Sequence, residues 1–155
     1  MKSASIILWF ALLLVFISAP AKAQDNGVGF GVRGGFGLNP DQLVVGAQFT
    51  LGKKAGIARI VPSVDFGFFD NVTTITFNGD FLFQLKVEES SFGLYGGGGP
   101  TLTLYDFKSG SSWEFGITVV AGTSLPLNLA QGTNIELRLG IGDIPDFRLL
   151  VAVNL

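Results

Sequence analysis

The chain contains no cysteine and no histidine. Without thiols there is no disulfide, no thiolate metal site and no cysteine nucleophile. Without imidazole the Ser-His-Asp and Cys-His arrangements, histidine metal sites and the usual general base are also missing. Charge is scarce as well, at 14% of 155 residues, against about 25% in an ordinary soluble domain. Lys and Arg number 10 against 12 Asp and Glu, so no basic excess exists to neutralise phosphates and no nucleic-acid partner is expected. Beyond the first twenty or so residues there is no long apolar run, no helical period, no low-complexity tract and no linker.

The exception at the amino terminus reads as a targeting segment. Lys2 supplies a basic start, residues 6–17 an apolar stretch, and Ala21-Lys22-Ala23 a small-residue cleavage site. The stretch is shorter than the ~20 residues a spanning helix needs. No cysteine follows the site to carry a lipid. We therefore expect a cleaved signal peptide over 1–23 and one domain over 24–155. Loss of Lys2 and Lys22 leaves eight basic against twelve acidic residues, a net charge of −4.

What the remaining chain does have is a period of two. In 134–142 the odd positions are Ile135, Leu137, Leu139 and Ile141, and the even ones include Glu136, Arg138, Gly140 and Gly142. After a turn at 143–146 the pattern resumes with Phe147, Leu149, Val151, Val153 and Leu155 on one face. This is strand periodicity. It recurs over 27–38, 43–51, 58–70, 73–85, 92–105 and 113–121, with turn residues between. Pro62 has no amide hydrogen for a ladder and predicts a bulge or an edge. Gly96 to Gly99, ahead of Pro100, predict sharp bending. The expected fold is all-β: a closed eight-stranded antiparallel up-and-down meander, closure removing the exposed edges.

Charge placement decides which face is outside. Eight charged residues lie within strands: Arg33, Arg59, Asp65, Asp80, Glu114, Glu136, Arg138 and Arg148. All eight fall on the polar or small face, and the greasy face carries no charge. A soluble lipocalin-like barrel binding an apolar ligand would turn the greasy face inward, yet an eight-stranded interior has room only for filling side chains or one small ligand. The inverted arrangement puts the greasy face in hydrocarbon and fills a narrow lumen with Gly, Ser, Thr and charged groups. Four Arg and four acids neutralise one another there. A lipid-facing Arg or Lys would cost about 2–4 kcal/mol at midplane, which accounts for its absence. We therefore expect a transmembrane barrel.

With its export segment, eight alternating strands, glycine-rich strand over 94–100 and apolar terminal strand, the chain resembles the small eight-stranded outer-membrane β-barrel proteins of Gram-negative bacteria. The resemblance implies an outer-membrane location, contact with outer-membrane lipid, insertion by the barrel assembly machinery and a monomeric state. Two features depart from the family pattern. The chain ends in Leu155 rather than an aromatic residue, and the connections at both ends are trimmed. If the amino terminus is periplasmic as in that family, the outward turns hold Asp41, Asp70, Asp106, Asp143 and Asp146 against Lys108, which we read as a solvated rim.

Other patterns carry less. Gly29, Gly31 and Gly34 match a dinucleotide fingerprint, but no helix follows to receive a phosphate. Asn71-Val72-Thr73 fits a glycosylation sequon by chance. Paired carboxylates such as Asp65 with Asp80, or Glu114 with Glu136, suit acid-base work only in the absence of their arginine neighbours. Tyr95 and Tyr105 are expected to plug the lumen or sit at its rim, and Trp113 to lie at an interface. No catalytic residue, cofactor or metal site is expected. The expected function is a non-enzymatic membrane barrel with a plugged, charge-compensated lumen; a narrow gated channel and the soluble lipocalin-like barrel are the alternatives.

Overall fold

A computed structural model describes residues 28–52, 58–69, 72–85, 92–125 and 132–155. The expected signal segment lies outside these residues, as do the connections over 53–57, 70–71, 86–91 and 126–131. Eight strands follow in order: β1 (Val28–Leu38), β2 (Gln42–Leu51), β3 (Ala58–Phe69), β4 (Val72–Leu85), β5 (Gly93–Phe107), β6 (Gly110–Leu125), β7 (Gly132–Gly142) and β8 (Phe147–Asn154). Each pairs antiparallel with its neighbours in sequence, and β1 pairs with β8 to close the barrel. The amide of Leu155 extends this seam by donating to the carbonyl of Phe30 at 2.9 Å.

Register fixes the barrel's dimensions. From Val28 the row of opposed residues runs through Leu51, Ile60, Phe81, Gly98, Val119, Leu139 and Phe147 back to Leu38, ten residues further along β1. Eight strands with this stagger tilt steeply and enclose a lumen about as wide as its side chains. The long strands β5 and β6 meet through the turn Lys108-Ser109. Their ends extend beyond the sequence expectation because Ser111, Ser112, Thr123 and Ser124 suit either face and blur the alternation.

Pro62 proves to be neither a bulge nor an edge. It sits within β3 opposite Gly79, and the β2–β3 register is the same on both sides of it: Gln48 opposes Ser63 and Leu51 opposes Ile60. Only the intervening pairings lapse, as a residue without an amide hydrogen requires. The β4–β5 ladder lapses likewise beside Pro100, between Asn78 opposite Thr101 and Phe81 opposite Gly98.

The pleat sorts the chain by polarity. Phe36, Phe49, Phe77, Phe81, Phe83, Phe115, Ile117, Leu139 and Val151 all point outward and are exposed. Among the outward positions of the described strands only Asp106, next to the β5–β6 turn, carries a charge. Exposed large apolar side chains encircle the barrel, far beyond the few hundred Å² of contiguous patch a soluble monomer tolerates. A lipocalin-like arrangement, with the greasy face inward, is therefore not the one adopted.

Candidate functional site

The inward positions bring distant strands together. Asp65 of β3 is their hub. Arg33 of β1 donates to it twice, Nε to Oδ1 and Nη2 to Oδ2, both at 2.7 Å. Arg148 Nη1 of β8 reaches the same Oδ2 at 3.0 Å, and Asn78 Nδ2 of β4 reaches it at 3.1 Å. Arg33 Nη1 also lies 3.5 Å from Glu136 Oε2, which accepts from Arg138 Nη1 at 2.9 Å. Arg138 Nη2 donates in turn to Asp80 Oδ2. One chain of contacts thus links Asp80, Arg138, Glu136, Arg33, Asp65 and Arg148, three cations with three anions, all buried.

Neutral groups complete it. Arg33 Nη2 donates to Ser63 Oγ at 2.6 Å, and Arg148 Nη2 to Asn78 Oδ1 at 3.2 Å and Thr118 Oγ1 at 3.3 Å. Thr101 donates to Asn78 Oδ1 and shares a 2.7 Å contact with Thr118. Extensive pairing of this kind is what allows ionised groups to stay inside a protein, although Asp80 Oδ1, Arg138 Nε and Arg148 Nε of this network are left without a partner.

All eight expected charges lie on inward positions, but Arg59 and Glu114 stand apart from this six-residue network. Glu114 lies near the β5–β6 turn, accepting from Ser112 Oγ. Arg59 lies near the start of β3, at the opposite mouth, with its guanidinium carbon 5.4 Å from the ring centroid of Tyr95. Strand position separates them: Arg59 is the second residue of a strand entering at one end, and Glu114 the fifth of a strand entering at the other.

A correction concerns the lumen's polarity. Val61, Leu82, Tyr95 and Val120 form a buried apolar cluster on the inner wall, and Val44, Leu150 and Ala152 are also buried. The signal for the first group was a run of adjacent apolar residues, as in Phe81-Leu82-Phe83, where both faces of the pleat must be apolar. Tyr95 joins the two chemistries, its hydroxyl donating to Glu136 Oε1 at 3.0 Å. Tyr105 is half-buried and stacks on Phe107 at 6.1 Å, while exposed Trp113 stacks on Phe77 at 6.5 Å.

The mouth away from Arg59, where β7 turns into β8, holds a further surprise. The turn between β7 and β8, expected to be wholly solvated, folds inward with Ile144 only 2% exposed. Gly116 and Gly140 leave the space it fills: a Cβ on either would lie 2.9 or 3.0 Å from the Ile144 side chain. Gly140 N donates to the Asp146 carbonyl at 2.8 Å, and Asn39 Nδ2 to Asp146 Oδ2 at 2.8 Å, tying this turn to the one between β1 and β2.

Glycine serves the same purpose at Tyr95. A Cβ on Gly122 would stand 2.3 Å from its ring carbon Cζ. Gly122→Ala is therefore expected to destabilise the barrel by about 1–3 kcal/mol, the usual cost of overpacking. Combining it with Tyr95→Leu, which removes the far end of the ring, should cost less than the sum of the two single changes. Denaturant unfolding of the three variants in micelles checks this, and strict additivity would contradict the assigned contact.

The described residues contain no group of three or more His, Cys, Asp or Glu able to hold a metal ion. The inner carboxylates Asp65, Asp80 and Glu136 are each engaged by arginine, an arrangement that suits structure better than proton transfer.

No protein-family model and no curated protein matches the chain. A search of solved structures finds the N-terminal β-barrel domain of Pseudomonas aeruginosa OprF, at TM-score 0.68 and 12% identity, covering 84% of this chain and 96% of that one. At that identity the likeness carries the fold, and the fold is the closed, all-antiparallel eight-stranded barrel that the resemblance to the small outer-membrane barrel proteins implies.

Proposed function

We propose that the protein is an integral outer-membrane β-barrel with a plugged, charge-compensated lumen, acting as a non-enzymatic structural or surface-interaction component of the cell envelope. The observation that carries this proposal is the sorting of the pleat: a charge-poor apolar outer wall around an interior whose ionised groups meet one another. Only a low-dielectric surrounding rewards that inversion of the soluble pattern. Outer-membrane lipid is then the principal partner, and a barrel whose ladder closes on itself is read as a monomer. The filled lumen favours a plug over the narrow channel, since a salt-bridged layer and an apolar layer both obstruct hydrated ions.

Fractionation tests this reading. The protein is expected in the membrane pellet, released by detergent, and to migrate differently on gels with and without heating. Planar-bilayer recordings are expected to stay electrically silent for the native protein. A soluble product without heat-dependent mobility would overturn the membrane assignment, and steady conductance would overturn the plug.

A further inference from the structure

Charges in the lumen do not balance in place. Arg33, Arg138 and Arg148 each lie within ion-pair distance of Asp65, Asp80 or Glu136, which leaves Arg59 over. Among the described residues no carboxylate comes within ion-pair distance of Arg59, and its Nε, like those of Arg138 and Arg148, is buried without an acceptor. The Tyr95 ring beneath it attracts the cation without neutralising it. Glu114, the remaining inward acid of the described strands, stands at the other mouth. A cation held inside a narrow barrel without a carboxylate in direct contact among the described residues, the inward acid Glu136 lying across the Tyr95 ring, can draw an anion from solution.

The surroundings of Arg59 suit such an ion. Its side chain is only partly buried, close to the end of the barrel where β1 begins and β8 ends. Inward positions at this mouth include Gly29 and Gly93, neither of which carries a side chain into it, while buried Gly31 is backed by Asn154 and Gln48. A Cβ on Gly93 would lie 3.2 Å from Gln84 Nε2 and 3.7 Å from Ser124 Oγ, so its absence leaves an amide donor and a hydroxyl beside bare backbone. On the inner side the Val61, Leu82, Tyr95 and Val120 cluster makes an apolar floor. We infer that this mouth is a binding site for a small soluble oxyanion, a phosphate or carboxylate, anchored by Arg59 with Gln84 and Ser124 as neutral donors. The inference goes beyond the proposed function, and it holds whatever surrounds the outer wall.

The chain's two tyrosines make the test local. Tyr95 lies against Arg59, whereas Tyr105 sits toward the opposite mouth. Both are labelled as 3-fluorotyrosine, assigned with Tyr105→Phe, and followed by fluorine NMR in amine-oxide micelles, which carry no phosphate. Inorganic phosphate, and separately acetate, is titrated at constant ionic strength. The Tyr95 resonance is expected to move saturably while Tyr105 stays in place. Arg59→Gln should weaken binding at least tenfold, Arg59→Lys should recover part of it, and Glu114→Gln should leave it unchanged. Heat-dependent gel mobility establishes that each variant is a closed barrel, and it separates failure of the site from failure of the membrane proposal. An unsaturable shift, equal movement of both tyrosines, or a closed Arg59→Gln barrel that titrates like the native protein overturns the site.

Discussion

Asp65→Ala is expected to lower the unfolding free energy by about 3–5 kcal/mol, the cost of removing one partner from a buried ion pair. The carboxylate receives two bonds from Arg33, one from Arg148 and one from Asn78. Its loss leaves buried Arg148 with no carboxylate and Arg33 with only Glu136 at 3.5 Å, in an interior with little water to solvate them. The damage comes from the unpaired cations more than from the missing contacts, and this distinction is testable. Asp65→Leu combined with Arg148→Met removes one charge of each sign and leaves Arg33 within 3.5 Å of Glu136. Apolar replacement of a whole pair is often neutral, so the double variant should be more stable than Asp65→Ala although it lacks more hydrogen bonds. Urea unfolding in micelles, followed by heat-dependent mobility, measures both. A double variant as unstable as Asp65→Ala would mean that the hydrogen bonds, not the charge balance, hold the lumen together.

Alternation exposed the strands wherever the two faces differ in chemistry. β7 is the clearest case: Ile135, Leu137, Leu139 and Ile141 could not share a face with Glu136 and Arg138 without breaking the pleat. The same parity placed all eight strand charges inward. The pattern was weak where residues suit either environment, as at the serine-rich ends of β6 and along Gly96 to Gly99 of β5. Partner choice among the charges was not legible, because it depends on height along the barrel axis. Asp65 and Arg148 lie 83 residues apart in sequence, and only the stagger of ten residues around the barrel brings them level. Ile144 was hidden for a different reason. Its neighbours Asp143, Pro145 and Asp146 are turn residues, and nothing local reveals that Gly116 and Gly140 leave a space for it.

Val119→Arg puts the sidedness of the wall to its hardest test. Val119 points outward from the middle of β6, 43% exposed, between Gly98 and Leu139 of the adjoining strands. In water an exposed Val→Arg change on a strand is worth a few tenths of a kcal/mol in either direction. In hydrocarbon, arginine at midplane costs about 2–4 kcal/mol, falling to about 0–1 kcal/mol near the interfaces. Trp113→Arg supplies the comparison: the same strand and outward face, 57% exposed, but three residues from the start of β6 beside the turn. Both variants are refolded into phospholipid vesicles and unfolded with denaturant. The expected result is a loss at position 119 at least 2 kcal/mol larger than at position 113, on the order set by the depth dependence of arginine insertion. Changes of similar size at the two positions would place the outer wall in water, and the buried ion pairs would then need an explanation other than a surrounding bilayer.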